Sequence, residues 1–498
     1  MSSLYHRLNQ YFDRSPWTYA LLAFCILLVN KLGVDVRGGE EQYLAFAFQF
    51  VNPSWIPNSF TYTEFAGTRI VFQYLVGPLL YWLSFEQATI ALRAVNFLLF
   101  SIPLGFLFHR LNIKPLVVFV FFQLFVMSKQ SLVGGEWIFQ SFEPKSVAYI
   151  LVFWALYYLT QSKHKLVVIH LALACYFHIV VGGWVFIAYV LYLAWEAEFK
   201  RIISSGILLS VLLSPLLIYI YFGMFATPFE TDVNLNQVYV YQRLPHHLGI
   251  WKTTDYFVQR SLAGTVMLIV MLISSKCWLP RLPHSFKVFG KLLLVMLALN
   301  ICFVGVAAID HFVLDNSGGL GLKYYPFRTG SIVLFFALFF LVSIAYEWVK
   351  QKQKVLVFSG VIVFALFLNQ GLLNVQRSIK HVSANTDFKQ LTNLLKETTS
   401  PDAVFLLMDI STNDKEYISF GRWAERENFI VPKFVSAESG KLIEWTRRVN
   451  IQHEIDKDHG KLNDYANKEV FDHVVCKSVL KDQELVAEIA PYKVYKLK

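Results

Sequence analysis

The sequence has few charged residues. Asp, Glu, Lys and Arg make up 16% of its 498 residues, whereas hydrophobic residues make up 55%. This balance excludes an ordinary soluble enzyme and is typical of a polytopic membrane protein. The 45 phenylalanines and 25 tyrosines fit long apolar helices with aromatic side chains at the membrane interfaces. The net charge of +10 favours cytoplasmic anchoring loops or an anionic ligand.

Cysteines are also scarce, and most of them lie in or beside apolar runs. The five are Cys25, Cys175, Cys277, Cys302 and Cys476. We therefore expect no disulfide framework. The sequence also lacks an inverted repeat and an acidic relay within its apolar runs, which argues against a transporter. The N-terminus is too long and too mixed in composition for a cleaved signal peptide, so the first apolar run is predicted to be a retained helix.

Long apolar runs, by contrast, are frequent. A membrane-spanning helix needs roughly 20 apolar residues. About eleven spans are predicted by this criterion: 17–33, 87–108, 115–131, 146–160, 166–181, 183–195, 202–222, 261–279, 288–309, 329–349 and 355–371. The fifth and sixth, around Gly182-Gly183, predict either a hairpin of two half-length helices or one long kinked helix.

One further run, 69–85, is apolar enough to span, but the charge pattern argues against it. If it lies on or dips into the outer face, nearly all basic residues of the later loops fall on the cytoplasmic side. The central Gly77-Pro78 also suits a broken segment. We therefore predict a cytoplasmic N-terminus and an outer C-terminus. The segments then placed outside are 34–86, 132–145, 223–260 and 310–328.

The predicted fold is thus a polytopic α-helical membrane protein with a small α/β periplasmic C-terminal domain. Residues 1–371 form the transmembrane domain, whose outer loop 34–86 carries interfacial helices. Composition changes sharply near residue 372. The segment 386–409 predicts a helix, a turn and a buried strand, and the chain end predicts a strand hairpin. Residues 372–498 are therefore predicted to be the soluble domain.

The first outer loop places Asp35, Glu40 and Glu41 just after the first span. A carboxylate at the membrane rim can act as a general base for an acceptor hydroxyl. It can also hold a divalent metal such as Mg²⁺ or Mn²⁺, although no cofactor is certain from the sequence. The alternative is that these charged residues flank a helix end and are simply solvated.

Three other outer segments combine charge with aromatic or glycine residues. Their candidate binding residues are Glu136, Arg243, His246, His247, Lys323 and Arg328. Basic outer residues oppose the positive-inside trend, so each requires a reason. Binding of a phosphate or a sugar is one reason, and ion pairing with outer carboxylates is the alternative. The adjacent histidines lack the usual spacing of zinc ligands.

Two further candidate site residues lie within predicted spans. Arg93 is about two turns into its helix, and His178 is about one turn from the outer end of its helix. Polar groups at such depth face a cavity or a partner. For Arg93 a position facing a cavity is favoured. For His178 a satisfied core histidine and a ligand-binding residue are equally consistent with the sequence. Glu143, which precedes Pro144, is assigned to the N-terminus of the next helix.

Together these features resemble the C-type (GT-C) glycosyltransferases, membrane enzymes that use polyprenyl-phosphate-linked sugars. The resemblance rests on Glu40-Glu41 soon after the first span, on the interfacial region 43–85, and on Arg93 with the basic turn His109-Arg110. It rests also on the C-terminal soluble domain 372–498, which we call the tail. The stretches FEPKSVAY, FHIVVGGW and RLPHH also resemble a little-characterised bacterial membrane-protein family of this type. The pair that usually contains Asp is here Glu-Glu.

The resemblance implies a sugar donor linked to polyprenyl phosphate and an acceptor that is a glycan, a lipid or a protein. It places the chain in the bacterial inner membrane, in contact with membrane lipid and not with nucleic acid. Glu41 or Glu40 would take the acceptor proton, and the basic residues and Arg93 would balance the leaving phosphate. The alternatives are a lipid-linked polysaccharide polymerase or ligase, a transporter or flippase, and an envelope assembly subunit.

Overall fold

The computed structural model describes residues 11–12, 15–63, 65–225, 231–251, 284–434, 438–466, 468, 471–481 and 483–497. These residues form two units. The first comprises Met1–Val34, Thr89–Tyr219 and Val240–Ser378, and the second comprises Asp35–Ala88, Ile220–Tyr239 and Ile379–Lys498. The predicted span 261–279 lies outside the described residues.

Most described elements are helices. In chain order they are α1 (Pro16–Lys31), α2 (Gly38–Val51), α3 (Ile70–Val76), α4 (Phe85–Arg110), α5 (Pro115–Met127), α6 (Pro144–Leu159), α7 (His164–Trp195), α8 (Phe199–Ile220), α9 (His284–Phe312), α10 (Gly330–Val349), α11 (Gln353–Ser383), α12 (Thr386–Thr398), α13 (Lys415–Ala424), α14 (Ser439–Lys457) and α15 (Leu462–Ala466). The strands are β1 (Val404–Leu407), β2 (Glu427–Asn428), β3 (His473–Cys476), β4 (Glu484–Ile489) and β5 (Tyr492–Lys496).

Short helical turns connect several of these elements. The 3₁₀ turns are Gly67–Arg69, Gly77–Tyr81, Leu322–Tyr324, Pro326–Thr329 and His459–Lys461. The others are the π turns Tyr221–Phe225 and Val238–Arg243 and a single α turn at Leu235–Gln237.

Six helical stretches among the described residues are long and apolar enough to cross a membrane. They are Phe85–Arg110, His164–Trp195, Phe199–Gly223, Phe286–Phe312, Pro326–Val349 and Lys354–His381. Of these, His164–Trp195 reaches that length only when its two halves on either side of His178 are counted together. Three shorter apolar helices are α1, α5 and α6. Each predicted span within the described residues falls on one of these helices. The number that cross the membrane and their orientation stay predictions.

Helix α7 is not one straight rod. At His178 the backbone leaves the helical region, with φ −157° and ψ 94°. The Nδ1 atom of His164 lies 2.8 Å from the hydroxyl oxygen of Tyr189, 25 residues further along, whereas a straight helix would separate these residues by about 37 Å. The two halves therefore fold back on each other. The structure contains the hairpin of two half-length helices, one of the two predicted alternatives.

The segment 69–85 is broken, as Gly77-Pro78 predicted. Helix α3 has only seven residues and passes directly into the 3₁₀ turn Gly77–Tyr81. A Cβ atom at Gly77 would lie 2.4 Å from the carbonyl oxygen of Ala47, so the segment packs closely against α2. That 69–85 does not cross the membrane stays a prediction.

The second unit contains a five-stranded sheet in the order β2-β1-β3-β5-β4. Strand β1 is parallel to β2 and β3, and β5 is antiparallel to β3 and β4. Phe405 and Leu407 pack in one cluster with α12 and α13, and Leu406 packs in another with α14. Because successive strand residues face opposite sides, β1 is buried between helices on both faces. The predicted helix–turn–strand and terminal hairpin are confirmed.

Candidate functional site

The predicted site residues are divided between the two units. Eight belong to the first unit: Arg93, Glu136, His178, Arg243, His246, His247, Lys323 and Arg328. The other three, Asp35, Glu40 and Glu41, belong to the second unit. Each unit is therefore described by itself.

A buried carboxylate organises the main group of residues in the first unit. Glu136 forms an ion pair with Arg328. Its oxygens also lie 3.5 Å from Lys145 Nζ and 3.2 Å from His247 Nδ1. Lys145 pairs in addition with Glu143, at 3.1 Å. We define the Glu136 cluster as Glu136, Glu143, Lys145, Arg243, His246, His247, Tyr325 and Arg328.

The glycine pair before Glu136 allows two loops to approach closely. Gly134 adopts φ +69°, and a Cβ atom there would lie 3.0 Å from the carbonyl oxygen of His247. A Cβ atom at Gly135 would lie 3.2 Å from the ring of His246. Residues without a side chain therefore let the 134–136 segment pack against the two histidines. This contact brings Glu136 within reach of His247.

Aromatic rings line the same cluster. The Lys145 ammonium lies 3.9 Å from the ring centre of Trp137, and the Arg328 guanidinium lies 4.4 Å from that of Tyr325. Arg243 Nη1 donates to the Tyr325 hydroxyl oxygen at 3.3 Å. Cations over aromatic faces are stabilised by the ring quadrupole. Two arginines and a lysine therefore converge with their orientations restricted.

Burial and charge have opposite effects on the ionisable groups of the cluster. Burial disfavours an ionised Glu136, but Arg328 and Lys145 outweigh it and hold the pKa of its carboxyl well below the usual range. Burial raises the pKa of Glu143, against the opposing effect of Lys145. Burial also lowers the pKa of His247, against the effect of Glu136. A neutral His247 beside an ionised Glu136 follows at neutral pH.

The remaining predicted residues of the first unit have other described contacts. Arg93 is fully buried, and its Nη1 donates to the carbonyl oxygen of Gly33, just after α1, at 2.9 Å. His178 lies at the tip of the α7 hairpin, where its Nδ1 accepts from the backbone N–H of Val181 at 3.4 Å. Lys323 is exposed, and its ammonium lies 5.3 Å from the Tyr324 ring centre. Arg93 therefore anchors the chain just after the end of α1, His178 caps the second half of α7, and Lys323 is a solvent-facing cation.

The sequence alone did not identify every member of the cluster. Lys145 lies in the first turn of α6, and nothing in the local sequence pairs it with Glu136. Tyr325 had a signal, because two adjacent tyrosines precede a proline in a basic loop. Which of the two rings contacts an arginine depends on the backbone conformation, which the sequence pattern does not give.

In the second unit, Asp35, Glu40 and Glu41 of the first loop all have described polar partners. Glu40 accepts from the backbone N–H of Arg37 at 3.0 Å and so caps its own helix. Glu41 accepts from Arg422 Nε at 2.7 Å and Nη2 at 2.8 Å, and from the Ser419 hydroxyl at 2.5 Å. Asp35 pairs with Arg37 at 3.1 Å.

Arg422 also joins Glu41 to a second carboxylate, because its Nη1 donates to Glu86 at 2.6 Å. Burial disfavours the charge of Arg422, but Glu41 and Glu86 outweigh it and raise its pKa. The contact of Arg422 Nε and Nη2 with the two oxygens of Glu41 is bidentate, which is the strongest form of the arginine–carboxylate contact. Both oxygens of Glu41 are thus occupied by donors.

The donor groups present do not form a metal site in the described part of the chain. No group of three or more His, Cys, Asp or Glu side chains is placed there to hold an ion. Metal dependence stays a prediction.

No family model and no curated protein matches the chain. Among solved structures, the crystal structure of ArnT from Cupriavidus metallidurans bound to undecaprenyl phosphate aligns with 96% of this chain and 97% of that chain. The sequence identity is 11% and the TM-score is 0.44. A likeness at this level carries no argument about the fold or the activity of this chain.

Proposed function

We propose that the chain is a membrane glycosyltransferase that moves a sugar from a polyprenyl-phosphate-linked donor to an acceptor hydroxyl. The observation that carries this proposal is the Glu136 cluster. It gathers Lys145, Arg243 and Arg328 with two histidines in a chain whose helices are mostly apolar. Arg and Lys are the side chains that bind phosphate, and a lipid-linked donor carries its phosphate next to apolar helices.

The chemistry asks little of the phosphate site beyond charge. The acceptor oxygen loses its proton to a base and attacks C1 of the sugar. The bond between C1 and the phosphate oxygen breaks, its electron pair stays on that oxygen, and polyprenyl phosphate leaves. Fixed cations that face the developing negative charge lower this barrier, because they need no reorganisation during the step. Glu136 repels an anion, so we assign it to holding these cations.

The base is proposed to come from the first loop. Asp35, Glu40 and Glu41 were all predicted for this role, and they differ in exposure. The Asp35 side chain is 35% exposed, whereas Glu40 and Glu41 are buried at 0% and 3%. A base must reach the proton that it removes. We therefore place Asp35 first for testing and keep Glu41 and Glu40 as the other candidates.

The site of action is proposed to be the periplasmic face of a bacterial inner membrane. This proposal follows from the charge pattern of the loops, which places the segments carrying the cluster and the acidic residues outside. The acceptor is proposed to be a glycan, a lipid or a protein that presents a hydroxyl on that face.

The phosphate site is tested by measuring the binding of polyprenyl phosphate to the purified chain in phosphatidylcholine nanodiscs. Arg243→Gln removes one cation and should weaken binding by about 10- to 100-fold, since a hydrogen bond to a charged group contributes roughly 1.5–3 kcal/mol. The matched control is Arg201→Gln, because Arg201 is half-exposed and pairs only at the surface with Glu198 among its described ion pairs. Equal affinity of both variants and the wild type would refute the phosphate site.

The base is tested by the release of polyprenyl phosphate from a mixed extract of lipid-linked sugars. Asp35→Asn should abolish release while leaving binding of polyprenyl phosphate unchanged. Glu41→Gln should lower both the release of polyprenyl phosphate and the stability of the protein, because it also disrupts the contact with Arg422. Full release by a variant that lacks the carboxylates of Asp35, Glu40 and Glu41 would exclude these three residues as the base.

The contacts of Glu41 favour a second candidate, a lipid-linked polysaccharide polymerase or ligase. Both oxygens of Glu41 are occupied, and the ring centres of His246 and His247 lie 4.1 Å apart within the cationic cluster. An enzyme of this class would use the Arg and His residues in place of an acidic base. It would still release polyprenyl phosphate in the variant that lacks the carboxylates of Asp35, Glu40 and Glu41. It would lose this release in His247→Gln.

A further inference from the structure

Tyr325 has a backbone conformation that its residue type rarely adopts. Its φ and ψ are 53° and 58°, in the left-handed region, between the turns Leu322–Tyr324 and Pro326–Thr329. A non-glycine residue loses roughly 1–2 kcal/mol in this region. A residue before proline is normally extended, which adds to the strain. Such a conformation persists only where surrounding contacts hold it.

The side chain of Tyr325 makes the contacts that this conformation allows. The Arg328 guanidinium lies 4.4 Å from its ring centre, and its hydroxyl oxygen accepts from Arg243 Nη1 at 3.3 Å. Its ring centre also lies 6.2 Å from that of His247. Two arginines from different loops therefore share one aromatic side chain. Asparagine or glycine would adopt the same backbone at lower cost but would offer neither contact.

We infer that Tyr325 is a positioning residue that holds Arg243 and Arg328 in a fixed relation for binding the phosphate of a lipid-linked donor. This inference rests on the proposed phosphate site and adds the residue that arranges it. Two guanidinium groups repel each other, and Tyr325 offers the ring face to Arg328 and a hydroxyl acceptor to Arg243, which stabilises both cations. The left-handed backbone directs the ring toward both arginines. The cost of this backbone conformation is therefore explained by the arrangement of the two arginines for phosphate binding.

The test uses the full-length protein in phosphatidylcholine nanodiscs with polyprenyl phosphate as the probe. Tyr325→Phe keeps the ring and removes the acceptor for Arg243, so affinity should fall about tenfold. Tyr325→Asn relieves the backbone strain and removes both contacts, so affinity should fall further while the Tm stays equal or rises. A residue with only a structural role would lower the Tm in Tyr325→Asn.

Tyr324→Phe is the matched control. Tyr324 is the neighbouring residue and is 58% exposed. Its described hydrogen bonds use backbone atoms: its carbonyl accepts from Trp184 Nε1 at 2.7 Å, and its N–H donates to the carbonyl oxygen of Gly321 at 3.0 Å. Its ring, which lies near Lys323, is retained in phenylalanine. The control should bind the probe as the wild type does.

A double-mutant cycle separates positioning from an independent contact. If Tyr325 acts through Arg243, Tyr325→Phe should have little further effect in the Arg243→Gln background. Additive losses would overturn the inference, as would wild-type affinity in Tyr325→Phe when Arg243→Gln binds weakly. In both cases the proposed phosphate site would stand. No binding of the probe by the wild type would refute that site and this inference together.

Discussion

Glu136 is the residue on which the cationic cluster depends. Its carboxylate is buried and contacts Arg328, Lys145 and His247. Removing one partner of a buried ion pair leaves the other charges buried and uncompensated, which costs about 3–5 kcal/mol. An exposed pair contributes only about 0–1 kcal/mol. The two kinds of glutamate in this chain should therefore respond differently to the same substitution.

Glu136→Gln should lower the Tm markedly at pH 7, whereas Glu347→Gln should barely change it. Glu347 is the matched control, because it pairs with Lys350 at 2.6 Å with both side chains nearly half exposed. The measurement is thermal unfolding of the purified protein in detergent. A similar small effect of both substitutions would show that Glu136 does not hold the cluster.

The pH dependence gives a second readout of the same carboxyl. The pKa of Glu136 is lowered in the folded state, so its stabilising effect is full above its unfolded pKa of about 4.3 and is lost as pH falls toward the folded pKa. The difference in Tm between wild type and Glu136→Gln should therefore narrow below about pH 4. A difference that is constant from pH 7 downward would contradict the lowered pKa.

At the scale of elements, the α7 hairpin depends on one glycine of an adjacent pair. A Cβ atom at Gly182 would lie 2.8 Å from both the backbone nitrogen of Cys175 and the carbonyl oxygen of Leu171, on the facing half of the hairpin. At Gly183, nothing lies within 4 Å of such an atom. The two glycines therefore have different tasks, although they are neighbours in the sequence.

Gly182→Ala should destabilise the protein by about 1–3 kcal/mol, because the methyl group meets backbone that cannot move without separating the halves. Gly183→Ala should be neutral or stabilising by up to about 1 kcal/mol, since alanine is the better helix former. Thermal unfolding in detergent compares the two variants with the wild type. A greater loss for Gly183→Ala would mean that the halves do not pack in this register.

The hairpin also shows how far sequence patterns reach at this scale. The apolar run and its central glycines predicted two alternatives, and periodicity could not choose between them. The choice depends on His178, whose extended backbone and ring acceptor start the second half like an N-cap. Histidine is not a usual cap, so the local sequence carried no clear signal.

At the scale of the whole molecule, the first loop and the tail belong to one unit. Arg422, in α13 of the tail, holds Glu41 and Glu86 of the loop. The Ser59 hydroxyl donates to Glu427, which also accepts from the backbone N–H of Thr61 at 3.0 Å. The tail therefore serves as the support for α2, which carries two of the predicted catalytic residues.

Arg422→Gln should speed hydrogen–deuterium exchange in α2 and α13 together, because it breaks the buried contact that joins them. Arg447→Gln is the control, since Arg447 is 43% exposed and pairs with Glu444 on its own helix at 2.8 Å. It should change exchange only near α14. Faster exchange in α13 with no change in α2 would show that the two elements are held together by other contacts.

The amino-acid sequence was sufficient to predict the apolar helices, the break at Gly77-Pro78, the strand hairpin at the chain end and the residue types of the site. These features depend on composition, local periodicity and backbone restrictions, which act over a few residues. The pairing of the charged residues, by contrast, depends on the packing of the folded chain. Arg422 and Glu41 are 381 positions apart, and Arg328 and Glu136 are 192 apart. Contacts at such separations depend on how the helices and strands pack, and local patterns do not record that packing.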